Sequence, residues 1–366
     1  MTQDPAQDSA HETQTAAQTA ARISADSGLV WTEPGAWTVA PGVVRIPLPL
    51  PMDGLRAVNV YVMETDQGLV LVDGGWAIPE SRTLFESCMK EAGYALTDIR
   101  RFLVTHMHRD HYTQAYVVGR EVGAEVSLGL GDKGSMDLMY DESIPRDPNL
   151  DRLEMAGALE LAEAWRAMMP SSERPSLDTY GMPDRWLDRD LSLDLGGRSV
   201  DAISTPGHTQ GHYVFADLRE GLLFAGDHVL PTITPSIGFE PKWVEQPLRD
   251  FLDSLAKVRA LPDLRLLPAH GPVTASSHAR IDELVVHHDH RLDLCVAAVS
   301  GGARTAWEAA GEIPWTRHNR RREELGPFDA VLAAFETLAH LELLHLQGRL
   351  VRTERGLTRE FAAASA

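Results

Sequence analysis

Thr105-His106-Met107-His108-Arg109-Asp110-His111 is the stretch on which the fold turns. It continues an apolar, strand-like run from Arg101 to Thr105, so its histidines stand at the C-terminal end of a strand. Histidines two residues apart cannot share a helix face, and the helical metal motif with histidines four apart does not occur. A strand-to-loop connection can instead fold His106, His108, Asp110 and His111 towards one point. Imidazole and carboxylate without thiolate suit zinc, with iron or manganese as the other ions such donors accept. The two cysteines, Cys88 and Cys295, lie far apart and outside any paired spacing, so neither a disulfide framework nor a thiolate site is indicated.

The same arrangement recurs downstream. SVDAIST (199–205) leads into PGHTQGH, GLLFAGD (221–227) into HVLP, and LRLLPAH (264–270) ends in Gly-Pro. Each strand delivers a further candidate ligand to a loop: His208, Asp227 and His270. With the first group they make seven donors, enough for two metal ions. Upstream, VVRIPL, VNVYVMET and LVLVDGG read as the start of an antiparallel sheet, and Pro79 to Gly93 as a helix with Leu84, Phe85, Cys88 and Met89 on one face. Strand ends converging between helices predict an α/β sandwich with its site along one edge of two packed sheets.

Five motifs in this order resemble the metallo-β-lactamase superfamily: Asp73 in LVLVDGG, then His106/His108/Asp110/His111, His208, Asp227 in FAGDH and His270 in PAHGP. The resemblance covers Ala40 to Pro272 and implies the αββα sandwich of that family. It further implies that His106, His108 and His208 hold a first metal, that Asp110, His111 and His270 hold a second, and that Asp227 bridges them. Two zinc ions would share a hydroxide, with Asp110 as the catalytic residue that orients the nucleophile or takes a proton. Asp73 is expected to orient a ligand histidine from outside the metals, and His212 either to do likewise or simply to pack. His228 reads as structural.

At 366 residues the chain exceeds one compact domain. We divide it into a tail (1–27) low in apolar content, a lactamase-fold domain (28–280) with a helical insertion at 131–196, and a mainly helical, winged-helix-like domain (281–366). Six of the eleven methionines fall in the insertion, which is expected to fill its own core or to form an adaptable lid. His287, His288 and His290 form another cluster, but in a helical segment without convergent strand ends; they read as solvent-facing positions and interdomain contacts. No basic segment followed by an apolar run opens the chain, and no run of about eighteen apolar residues occurs, so a cytoplasmic protein without membrane contact is expected.

Function divides on the substrate. Asp227 with no nearby cysteine departs from true β-lactamases of this fold, and the C-terminal region does not resemble the glutathione-binding helices of glyoxalase II-like thioesterases. It looks instead like the domain appended to lactamase-like hydrolases, an endoribonuclease branch included. The run Arg317 to Arg322 offers local positive charge for RNA, but the net charge of -19 and the following Glu323 and Glu324 disfavour nucleic acid. The same domain could serve a homodimer. A small-molecule ester, thioester or lactone-like substrate is therefore the leading expectation, with RNA phosphodiester cleavage as the alternative. A mononuclear iron persulfide dioxygenase is a third reading, opposed by retention of the second set of ligands.

Overall fold

In a computed structural model the described residues are 31–364, except 52–53, 142–146, 169–175 and 317. The N-terminal tail, Met169 and Arg317 thus lie outside them. Seven strands form the first sheet in chain order: β1 (Trp37–Ala40), β2 (Val43–Pro49), β3 (Ala57–Thr65), β4 (Gly68–Val72), β5 (Ile99–Leu103), β6 (Glu125–Gly129) and β7 (Arg185–Leu187). Pairing is antiparallel from β1 to β4 and parallel from β4 to β7. A parallel neighbour needs a long crossover, and the helices α1 (Pro79–Glu91) and α2 (Arg109–Val122) supply the first two.

The second sheet holds β8 (Leu191–Asp194), β9 (Ser199–Ser204), β10 (Tyr213–Asp217), β11 (Leu222–Gly226) and β12 (Arg265–Pro268), in the spatial order β12-β11-β10-β9-β8. Between β6 and β7 lie α3 (Lys133–Tyr140), α4 (Pro148–Met155) and α5 (Leu159–Met168); α6 (Pro247–Arg259) joins β11 to its parallel neighbour β12. The chain ends in α7 (Ser277–Ser300), α8 (Ala306–Glu312), α9 (Pro327–Leu346) and a hairpin of β13 (Leu350–Arg355) and β14 (Thr358–Ala363). Ser276 and Thr305 cap α7 and α8 by accepting from Ala279 N–H and Glu308 N–H.

Alternation along the strands produces the layers. In β3, Val58, Val60 and Val62 face α1 and α2, whereas Tyr61 and Met63 face the second sheet. In β11, Leu222 and Phe224 join the layer between the sheets, while Leu223 and Ala225 meet α6, α7 and α9. Strands covered on both sides are apolar throughout, which is why these segments read as continuous runs rather than alternating ones. The result is the αββα sandwich of the metallo-β-lactamase fold.

The 131–196 stretch divides between two layers. Met136 and Met139 pack with the outer face of the first sheet, whereas Leu150, Leu153, Trp165 and the half-buried Met155 join the layer formed by α6, α7 and α9. The C-terminal helices also pack on the second sheet through Ile281, Leu284, Phe335 and Leu338.

Backbone contact at one point fixes how the sheets meet. A Cβ on Gly129 would lie 1.9 Å from the Gly211 carbonyl oxygen, so only glycine lets the end of β6 approach the loop before β10. Gly129→Ala is expected to cost about 1–3 kcal/mol or more by overpacking, read as a lower urea midpoint with an unchanged slope. An unchanged midpoint would contradict this close approach.

Candidate metal centre

All seven sequence-selected donors meet at one edge of the sandwich, beyond the C-terminal ends of β4, β5, β9, β11 and β12. Near-complete burial of His106, His111, His208, Asp227 and His270 keeps water from most of this edge. His106, His108, His208 and Asp227 form one group, each offering an atom within 4.8 Å of the others, and Asp110, His111 and His270 form a second on the same terms.

The spacings within these groups fit cations. His106 Nε2 is 2.9 Å and His208 Nε2 3.1 Å from His108 Nδ1, and Asp227 Oδ2 lies 3.5 Å from His208 Nε2. Asp227 Oδ1 faces the other way, 3.6 Å from His111 Nε2 and 3.4 Å from His270 Nε2. Asp110 Oδ2 completes that group at 3.6 Å from His111 Nε2 and 3.4 Å from His270 Nε2. A tetrahedron of bonds near 2.0–2.1 Å has edges of about 3.3 Å, and these separations cluster around that length. His111 Nε2, His270 Nε2 and Asp227 Oδ1 are buried without a hydrogen-bond partner. Buried polar atoms are rarely left so, and here they are aimed at one another.

The opposite ring nitrogens explain the aim. His111 Nδ1 donates to Asp73 Oδ2 (2.8 Å), His208 Nδ1 to the Ser236 carbonyl (2.8 Å) and His270 Nδ1 to the Ala57 carbonyl (2.8 Å). These acceptors can only accept, so the proton resides on Nδ1 and the Nε2 lone pair points inward. Asp73 also accepts from Thr105 N–H (2.8 Å) and Thr105 Oγ1–H (3.1 Å), which ties the end of β5 to the turn after β4. Its backbone is in the left-handed region (φ 61°), a conformation that aspartate tolerates better than most side chains. His212 accepts from Asp227 N–H at Nε2 (3.1 Å) and hence donates from Nδ1 to Thr205 Oγ1 (2.8 Å). The neighbouring Gly226 is also left-handed (φ 51°), and a Cβ there would lie 2.7 Å from that same His212 nitrogen. His228, by contrast, is turned from the groups and packs edge-on against Phe251.

Charge sorts the seven. Burial together with neighbouring histidines holds His106 well below its usual pKa and His108 down at about 3, so both are neutral. His208 is lowered to about 4, with burial the largest cause. Burial also opposes the charge on His111, but Asp110, Asp73 and Asp227 overcome it and push its pKa up to about 10. His270 is raised by Asp227 and Asp110 against the same penalty. Asp110 is held well below the carboxylate range, since His111 and His270 outweigh its desolvation. The carboxylates around His111 and His270 thus mark the side of the edge where positive charge is most favoured, and a cation facing the two Nε2 atoms would supply it in place of a second ring proton.

Several supporting residues carry no motif. Asp132, fully buried, accepts from Met107 N–H (2.8 Å) and Gly211 N–H (2.8 Å), clamping the loop of His106 and His108 to the loop of His208. Asn59 donates to the Pro268 and Gly271 carbonyls (both 2.9 Å), and Tyr61 Oη to Pro268 (2.8 Å), fixing the turn that carries His270. Tyr180 Oη–H donates to the Met107 carbonyl, bringing the 131–196 stretch against the same loop. A lone polar residue inside an apolar run, such as Asn59 in VNVYVMET, was the available signal.

A chain with this sandwich and two His/Asp groups at its edge is a metallo-hydrolase-type α/β protein by class. Residues 53–270 match the model of the metallo-beta-lactamase superfamily, and the chain belongs to that superfamily. A metallo-beta-lactamase family protein from Thermus thermophilus superposes with a TM-score of 0.69 at 27% identity, covering 89% of this chain and 100% of that one. A beta-lactamase domain protein from Burkholderia ambifaria gives 0.70 at 26%, covering 90% and 95%. In sequence, the chain is 24% identical over 238 residues to "Beta-lactamase-like protein 2 homolog" of Caenorhabditis elegans, covering 65% of this chain and 63% of that protein. It is 26% identical over 301 residues to "Lactamase-like protein nscB" of Trichophyton rubrum, covering 82% and 74%. Among the described residues no helix is long and apolar enough to cross a membrane.

Beneath the centre, Glu240 is buried with Oε2 near Ser135 Oγ (3.1 Å) and Oε1 without a partner. Burial, and secondarily the charge of Asp132, raises its pKa from 4.5 to about 8. The native state therefore keeps a proton that the unfolded chain has released, so this group's contribution to stability declines as pH rises from 4.5 to about 8. Denaturant titrations at several pH values should show that decline in the wild type and a flatter profile in Glu240→Gln. Identical profiles would contradict a protonated Glu240.

Proposed function

We propose that the protein is a hydrolase carrying two divalent cations, zinc by donor set, that acts on an ester, thioester or lactone-like small molecule. One observation carries this reading: the two oxygens of Asp227 face two separate groups of donors, as a bridging carboxylate requires. His106, His108 and His208 would hold one ion, Asp110, His111 and His270 the other, and Asp227 both. Bound there, paired cations lower the pKa of a shared water and polarise the carbonyl to be attacked.

The remaining work falls to the chain. Asp110, at the open side of its group with a side chain 14% exposed, orients the nucleophile as an ionised hydrogen-bond acceptor. Asp73 and His212 position His111 and Asp227 through the hydrogen bonds described. His111 and His270 hold the Asp110 carboxyl well below the carboxylate range, so it stays ionised throughout the neutral range and accepts a hydrogen bond without retaining a proton.

The surroundings support an apolar acyl group. Leu130, Met182 and Ile233 are exposed apolar side chains close in sequence to residues that hold the site's loops, namely Gly129, Tyr180 and Ser236. Trp76 stands half-buried in the turn after Asp73, with the Arg109 guanidinium 4.3 Å from its ring centroid. The arginine run is partly occupied, since Arg322 stacks on Trp307 at 4.1 Å, donates to its carbonyl and pairs with Glu323. That occupation weakens the case for a phosphate-binding face.

Metal analysis combined with a panel of thioesters, lactones, phosphodiesters and short RNAs tests the proposal. Two zinc per chain at the Asp227 centre and turnover of acyl substrates are expected; Asp110→Ala should lower that turnover by about 10²–10⁴-fold while leaving the unfolding midpoint near wild type. Near-normal turnover in Asp110→Ala would refute the assigned role. RNA cleavage that weakens with salt and with neutralisation of Arg320, Arg321 and Arg322 would transfer the assignment to a phosphodiesterase. A single iron confined to the His106 group would transfer it to oxygen chemistry.

A further inference from the structure

The histidine run on α7 is split between the interior and the surface, as solvent-facing and contact positions require. His288 is wholly buried against α9, His287 is half-buried, and His290 is exposed. Helical geometry turns successive residues by about 100°, so His287 and His288 flank the seam while His290 lies on the far side. Glu336 of α9 reaches the same seam, and His287, His288 and Glu336 each offer one atom within 4.8 Å of the other two.

Hydrogen bonds determine which atom of His288 is available. His340 Nδ1 sits 2.7 Å from the Glu336 backbone carbonyl, which can only accept, so Nδ1 donates and Nε2 carries the lone pair. His288 Nδ1, 3.2 Å from that lone pair, must then donate in turn. Its Nε2 is left as a bare lone pair, buried and with no hydrogen-bond partner. The imidazole is therefore oriented through its other nitrogen, as a metal-binding histidine is. Burial keeps both rings neutral, with His287 held down at about 4 and His288 well below its usual value. Arg291 lies near enough to the cluster to favour a charged Glu336, while its guanidinium stacks 4.1 Å over the Trp315 ring and donates to the Pro314 carbonyl (2.7 Å).

We propose that His287, His288 and Glu336 form a separate site for a zinc-type divalent cation, which staples α7 to α9 with His340 as the residue that orients His288. Two imidazoles and one carboxylate are a donor set that zinc accepts. The ring of His288 is buried and fixed, whereas His287 and Glu336 are half-buried beside it. Phe251 lies between this seam and the main centre, edge-on to His288 at 5.5 Å and to His228 at 5.1 Å, so the two sites are distinct. The cation's role there is structural: it joins the two long C-terminal helices where the lone pair of His288 Nε2 would otherwise stay buried without a partner.

Zinc content of tag-free full-length protein, measured by plasma mass spectrometry, tests this. His287→Ala and Glu336→Gln, each confirmed as folded by circular dichroism, should carry one zinc per chain fewer than wild type. Cobalt titration of wild-type apoprotein should show an additional visible absorption step that both variants lack. An Asp227→Ala variant, which perturbs the main centre, should retain that step, so failure of the two-cation reading and failure of this site are told apart. Equal zinc content and equal cobalt titration in wild type, His287→Ala and Glu336→Gln would overturn the proposal and leave the seam as an ordinary buried polar contact.

Discussion

Two buried carboxylates, a third that is half-buried, and their imidazole partners are the constraint on which this molecule depends. Asp73, Asp110 and Asp227 lie together at the edge of the sandwich, where isolated charges would be heavily penalised. His111 stands among all three, with 2.8 Å to Asp73 and 3.6 Å to each of the others. Its positive charge, or a cation in its place, is what makes their burial tolerable. The strand ends are arranged to meet that demand, and each loop crossing the edge is held by at least one side chain that adds no ligand.

This holding is divided among different kinds of contact. Asp132 joins two loops through backbone N–H groups, Asn59 and Tyr61 secure a third through carbonyls, and Asp73 joins the ends of β4 and β5. None depends on a flexible surface ion pair, which contributes little and is screened by salt. A loop so held can present imidazole lone pairs at fixed spacing, and fixed spacing is what separates a coordination site from a mere accumulation of histidines. The seam between α7 and α9 follows the same logic on a smaller scale, with His340 holding His288 as Asp73 holds His111.

The C-terminal helices belong physically to the sandwich as well as to one another. Ile281, Leu284, Phe335 and Leu338 share a layer with Val214 and Leu223 of the second sheet and with Leu150 and Trp165 between β6 and β7. The 131–196 stretch is thus caught between the C-terminal helices and the loop bearing His106, where Tyr180 donates to Met107. Changes in that stretch would reach the site through packing as well as through any direct contact with substrate.

The sequence by itself determined the strand runs that end in Asp73, His106, His208, Asp227 and His270, because apolar strands covered on both sides leave continuous hydrophobic text and their polar ends stand out against it. It also determined the helix carrying Phe85, Cys88 and Met89, through a period that any amphipathic helix must keep. β10 was not legible as a separate strand, since YVFAD follows directly on PGHTQGH without a turn signal of its own. Only the tertiary structure decided that Asp227 turns one oxygen to each group, that Asp132 and Asn59 serve the loops, and that His288 is buried with a bare nitrogen while His290 meets water. Those facts depend on rotamers and on contacts between residues up to 212 positions apart, as from Asn59 to Gly271. Local pattern carries the direction of a strand; it does not carry what lies across from its end.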